Sequence, residues 1–87
     1  MMSKLAQLRK EIEKTDEKII KLLAKRRRLC KNIGQIKSDQ GCAIVDLSRE
    51  KKLFEFYEIC CERYDLPSSF VNKLFKMIIY SCRKIQF

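Results

Sequence analysis

Residues 3–38 read SKLAQLRKEIEKTDEKIIKLLAKRRRLCKNIGQIKS. Within them Leu5, Leu8, Ile12, Thr15, Ile19, Leu22, Arg26, Leu29, Ile33 and Ile36 recur at alternating intervals of three and four. That interval returns each side chain to one azimuth of a helix with 3.6 residues per turn, so the row is a continuous packing seam. Strong helix formers fill the segment and no proline interrupts it; Gly34 is its weak point, at about 1 kcal/mol against alanine. The spacing predicts a single helix from about Ser3 to about Ser38, a rod of ~54 Å at 1.5 Å per residue. A compact chain of this length has a radius of gyration near ~12 Å, so its remaining residues are too few to cover such a rod. The uncovered seam calls for a partner helix, most simply from a second copy in a two-fold dimer.

Downstream, Asp39-Gln40-Gly41 breaks the pattern, with Gly41 as the turn residue, and Cys42-Ala43-Ile44-Val45 reads as an extended connector. Asp46 is placed to cap a second helix whose buried stripe is read as Leu53, Phe56, Tyr57, Cys60 and Tyr64. Asp65-Leu66-Pro67-Ser68-Ser69 stops that helix and starts a third, with Pro67 near its first position. The third helix carries Val71, Leu74, Phe75, Ile78, Ile79, Cys82 and Ile85 on its apolar face. The expected fold is therefore all-α, one long N-terminal helix plus two shorter ones in a single domain over residues 1–87.

Composition narrows the function. The 87 residues include 46% apolar side chains, two Gly and one Pro, which argues against disorder and against a loop-rich β fold. Twenty Lys and Arg against 11 Asp and Glu give a net charge of +9, and there is no His. A His-based triad or His general base is therefore excluded, and without a paired C-x-x-C spacing no zinc or other metal site is expected. Five cysteines, two of them adjacent, with no secretory pattern at the start, place the chain in a reducing, cytoplasmic setting with its cysteines free. Cys30, Cys60 and Cys82 fall on apolar stripes and read as small core residues. No apolar run is long enough to suggest a membrane partner.

The informative residues are polar ones on apolar seams. Arg26 interrupts the row between Leu22 and Leu29, and a buried guanidinium needs an anion, either a protein carboxylate or a ligand. Lys37 is eleven residues on, about 20° from the same azimuth and ~16 Å along the axis. Gln86 ends the row Phe75, Ile79, Cys82, Gln86 on the third helix. Asp46 and Glu50 stand one helical turn apart, with Arg49 between them. Arg9 lies about 100° off the azimuth of Arg26 and reaches an Arg26 site only from a partner helix running alongside.

These residues, in order, resemble the all-helical chorismate mutases. The resemblance is carried by Leu5-x-x-Leu8-Arg9-x-x-Ile12-x-x-x-Asp16, Leu22-Leu23-Ala24-x-Arg26, Ile33-Gly34-x-x-Lys37, Asp46-x-x-Arg49-Glu50, Phe75-x-x-Ile78-Ile79 and Cys82-x-x-x-Gln86. It implies an intertwined homodimer of three-helix chains and a cofactor-free Claisen rearrangement of chorismate to prephenate, a step towards phenylalanine and tyrosine. By position, it assigns Arg26 and the partner's Arg9 to the substrate carboxylates. Lys37 and Gln86 are assigned to the ether oxygen, with Lys37 also touching a carboxylate. Glu50, with the Asp46 backbone, takes the ring hydroxyl, and Arg49 supports the carboxylate side. Lys37, Gln86 and Arg26 are then the catalytic set. Cys82 stands where the family usually has a carboxylate-binding serine; a thiol is the poorer donor, so weaker substrate binding is expected. Gln86, one residue from the end, sits in a turn expected to fray.

Two other readings share some of these features. An isochorismate pyruvate lyase on the same scaffold uses a similar set of cations, although the full Asp46-x-x-Arg49-Glu50 string favours the mutase. A basic helical module binding nucleic acid is suggested by the +9 charge and by Lys25-Arg26-Arg27-Arg28. Against it, no helix-turn-helix or RNA-binding signature is present, and Arg26 lies on the buried seam.

Overall fold

The computed structural model describes residues 3–86; Met1, Met2 and Phe87 lie outside the described residues. Three helices follow one another: α1 (Lys4–Gln40), α2 (Leu47–Tyr64) and α3 (Ser68–Ile85). No strand occurs among the described residues. The expected all-α order holds, and the long helix runs two residues beyond Ser38.

Local chemistry sets each boundary. Ser3 caps α1 by accepting the Ala6 N–H on its hydroxyl at 3.1 Å. Gly41, at φ 69°, ends α1; its N–H donates to Ser38 O, and the Cys42 N–H donates to Lys37 O at 2.8 Å. This pair of bonds is a Schellman motif, which requires the left-handed conformation that glycine adopts without strain. Asp46 caps α2, its Oδ1 accepting the Arg49 N–H at 3.0 Å. Pro67 is itself the capping position of α3 and brings no side-chain bond. Glu58 reaches across from α2 instead, accepting from the Ser68 hydroxyl at 2.9 Å and from Asn72 Nδ2 at 3.3 Å.

α3 is the neighbour that α1 and α2 share. Cys30 meets Cys82 and Gly34 meets Gln86, a constant offset that shows α1 and α3 running parallel and in register. α2 returns antiparallel to α3, its Tyr57 ring 4.2 Å from that of Phe75. The core between them is Tyr57, Cys61, Val71 and Ile79, flanked by Leu53, Phe54 and Phe75. The α2 stripe is therefore rotated from the expected one: Phe54 and Cys61 face inwards, while Phe56 and Tyr64 are exposed. A helix with apolar side chains on nearly every azimuth has no unique inward face, and contact with α3 selects one.

The expected free state of Cys30 and Cys82 is corrected. They form a disulfide with Cα atoms 5.7 Å apart, inside the range a disulfide spans, while Cys42, Cys60 and Cys61 are free. Parallel register between helices distant in sequence brings the two together. Every Leu and Ile of α1, from Leu5 to Ile36, is at least 41% exposed, and the radius of gyration is 16.7 Å, well above that of a compact chain of this size. No helix among the described residues is long and apolar enough to cross a membrane.

The disulfide closes a loop spanning 52 residues, which in the chain-entropy view is worth about 4 kcal/mol. Alkylation of the denatured protein should label three cysteines before reduction and five after it. Urea unfolding with a dithiol present should show a loss of stability of that size. Five labelled cysteines without reductant would contradict the bond.

Candidate active site

A cavity of about 360 Å³ opens between the C-terminal half of α1, the connector, the first turns of α2 and the last turns of α3. Its wall includes Arg26, Lys37, Asp46, Arg49, Glu50, Cys82 and Gln86. Every site residue expected from the sequence is thus brought to one place except Arg9. That residue lies on the exposed N-terminal half of α1, ~26 Å along the axis from Arg26.

The cations are set by helix geometry and by the turn that follows. Arg26 is half-buried, and its Nη1 donates to Cys30 Sγ at 3.6 Å. Lys37 projects from the same side of α1; its Nζ donates to the Ile44 carbonyl at 2.7 Å, tying the connector to the helix. An ammonium carries three N–H bonds, so two remain for the cavity. Arg49 projects from the first turn of α2. Among the described residues Arg83–Glu50 is the one ion pair, so Arg26, Lys37 and Arg49 line the cavity with no carboxylate on them. Three cations around one concavity form an anion site: a carboxylate about 4 Å from one of them gains ~4 kcal/mol at an effective dielectric near 20.

Gln86 is the C-terminal cap residue of α3, in the final turn where the sequence places it. It is half-buried and packs on Gly34, where an added Cβ would lie 2.8 Å from Gln86 Cγ and 3.0 Å from its Cα. Gly34, a weak point for helix propensity, is thus what admits the end of α3 to the surface of α1. Gln86 Nε2 donates to Cys82 Sγ at 3.3 Å, leaving its second N–H free, and Oε1 is buried without a partner. Cys82 is also corrected as a thiol donor: in the disulfide its sulfur has no hydrogen to give, and it accepts from Gln86 instead.

Asp46 is engaged locally. Its carboxylate caps α2, and its carbonyl accepts the Glu50 N–H at 3.0 Å. Glu50 accepts on Oε1 from both Nε and Nη2 of Arg83, a cavity-lining residue that the sequence reading missed. Arg83 follows Val71, Phe75 and Ile79 at intervals of four, beside the row that continues through Cys82 and Gln86, and this spacing was the available signal.

Comparison with known proteins agrees with the geometry. The sequence matches the family described as chorismate mutase type II over residues 8–87. It is 34% identical over 86 residues to the chorismate mutase of Methanocaldococcus jannaschii, covering 99% of this chain and 87% of that protein. It is 41% identical over 71 residues to a bifunctional chorismate mutase/prephenate dehydratase of Buchnera aphidicola, covering 82% of this chain and 18% of the relative. A protein of the same description from Aquifex aeolicus is 35% identical over 88 residues, covering 98% of this chain and 24% of the relative. The chain belongs to the type II chorismate mutase family. It spans most of the archaeal relative and under a quarter of these two bifunctional ones.

Gly34→Ala tests the close approach. Alanine gains about 1 kcal/mol of helix propensity while overpacking costs ~1–3, so global stability should change by no more than about 2 kcal/mol. Amide exchange at Arg83–Gln86 should accelerate about tenfold as the last turn of α3 is pushed off α1, a local opening. Unchanged exchange there would contradict the packing.

Proposed function

We propose that this chain is a chorismate mutase, converting chorismate to prephenate as a homodimer whose sites are each completed by Arg9 of the partner subunit. The observation that carries this reading is the cavity itself, where Arg26, Lys37 and Arg49 stand without carboxylates beside the Gln86 amide and the paired Glu50. Family membership and the names of the relatives support the same conclusion.

Chorismate is a dianion whose enolpyruvyl side chain must fold over the ring before reacting. Arg26, Arg49 and Arg9 of the partner subunit hold the carboxylates and fix that chair, which removes rotational freedom before the chemical step. Glu50 accepts the ring hydroxyl, with the Asp46 backbone beside it. The ether C–O bond then breaks as a new C–C bond forms, electrons moving round a six-membered ring with no proton transferred. Negative charge gathers on the ether oxygen. The free N–H groups of Lys37 and Gln86 stabilise it there more than in the ground state, an effect worth ~3–4 kcal/mol for one such donor. Groups that never change protonation suffice, which is how a site without His serves this reaction. The +9 net charge favours encounter with a dianion.

The dimer reading rests on the length of α1. Leu5, Leu8 and Ile12 are each about half exposed, on the part of the rod that extends beyond α3. A second copy covering this seam removes the apolar surface from water and brings Arg9 alongside the other chain's Arg26. A cytoplasmic setting belongs to the same reading on the odd cysteine count, and the Cys30–Cys82 bond is the observation that runs against it.

Purified protein should consume chorismate and release prephenate, identified by chromatography. Arg26→Ala should lose at least about a hundredfold in kcat/KM with its helical signal intact. Chorismate left unchanged, with pyruvate released from isochorismate, would contradict the mutase and support the lyase.

A further inference from the structure

The one ion pair among the described residues lies in the wall of the cavity, where a substrate carrying two carboxylates is least tolerant of another negative charge. Two carboxylates stand in that wall; Asp46 is turned to the start of α2 as its cap, and Glu50 is the one that pairs with a cation. It belongs to the first turn of α2, and Arg83 belongs to the last turn of α3; the antiparallel packing of the two helices joins residues 33 apart. Both side chains are largely withdrawn from water, Glu50 to 20% exposure and Arg83 to 33%. Nε of Arg83 donates to Glu50 Oε1 at 3.1 Å, and Nη2 donates to the same oxygen.

Two donors from one rigid guanidinium on one oxygen fix where the carboxylate lies and leave Oε2 without a partner among the described residues. They also cancel the negative charge of Glu50 at short range. The cavity therefore keeps the positive balance of Arg26, Lys37 and Arg49 while still offering an acceptor for a hydroxyl. We propose that Arg83 is a positioning residue for Glu50, neutralising the carboxylate and aiming its free oxygen into the cavity so that a dianion bearing a hydroxyl binds there. This deepens the chorismate mutase reading and rests on it.

An ordinary surface ion pair contributes little and acts only on stability. A positioning role instead makes the effect of Arg83 conditional on the charge of Glu50, and a double-mutant cycle on kcat/KM separates the two. The set is wild type, Arg83→Met, Arg83→Lys, Glu50→Gln and the Arg83→Met/Glu50→Gln pair, each checked for helical content and thermal unfolding. With chorismate, Arg83→Met should lower kcat/KM about tenfold, chiefly through KM, because unneutralised Glu50 repels the substrate before and during the reaction alike. Arg83→Lys, keeping the charge, should stay within about threefold of wild type. In the Glu50→Gln background, Arg83→Met should change kcat/KM by less than about twofold.

An equal loss in both backgrounds would overturn the proposal, since Arg83 would then act independently of Glu50. Wild-type kinetics for Arg83→Met with only a lower melting temperature would overturn it as well. A wild type that leaves chorismate untouched would instead remove the functional reading, and this proposal with it. Activity in the wild type thus distinguishes the two failures.

Discussion

A helix of 37 residues packed against one of 18 leaves much of its apolar seam without an intrachain partner, and the rest of the molecule answers to that mismatch. The close contacts of α1 with α3, at Cys30 and Gly34, fall in its C-terminal half, and the candidate site forms along that half, where register, turn and connector converge. The N-terminal half extends beyond them with Leu5, Leu8 and Ile12 in water. Burial of apolar side chains at ~25 cal/mol per Å² is the main force available to a chain this small, and the unused seam is a large share of its supply. In the proposed dimer that share is recovered, and the same surface that stabilises the fold delivers the missing Arg9.

Where α1 and α3 do meet, their contact is unusually close. Gly34 lets the end of α3 settle on α1, and the Cys30–Cys82 bond joins the two helices one turn earlier. Both contacts lie between the cations of α1 and the amide of α3. Gln86 and Arg26 each place a donor on a sulfur of that bond, so the cross-link and the site share their polar groups. The Schellman turn at Gly41 serves the same end from the other side: it directs the connector back, and the Ile44 carbonyl then anchors the Lys37 ammonium.

Much of this was legible in the sequence. The alternation of three and four fixed α1, and polar residues on the apolar rows pointed to Arg26, Lys37 and Gln86, which the fold gathers into one cavity. Gly41 and Asp46 announced their turns because capping chemistry is local. What could not be read depended on contacts between distant segments. The inward face of α2 was ambiguous because Phe54, Phe56 and Tyr57 cover several azimuths, and only α3 decides among them. The disulfide needed the parallel register of α1 and α3, and Arg83 needed the antiparallel return of α2. Gly34 looked like a flaw in a helix, since no property of α1 alone shows what must approach it.

The central claim is that each site draws on two chains, and complementation tests it most directly. Arg9→Ala and Arg26→Ala variants, each nearly inactive with chorismate as a homodimer, are unfolded together in equal amounts and refolded. In a mixed dimer both substitutions fall on one site and the other site is intact, so random pairing should restore about a quarter of wild-type activity. No recovery from the mixture, or full activity of Arg9→Ala alone, would contradict a site shared between subunits.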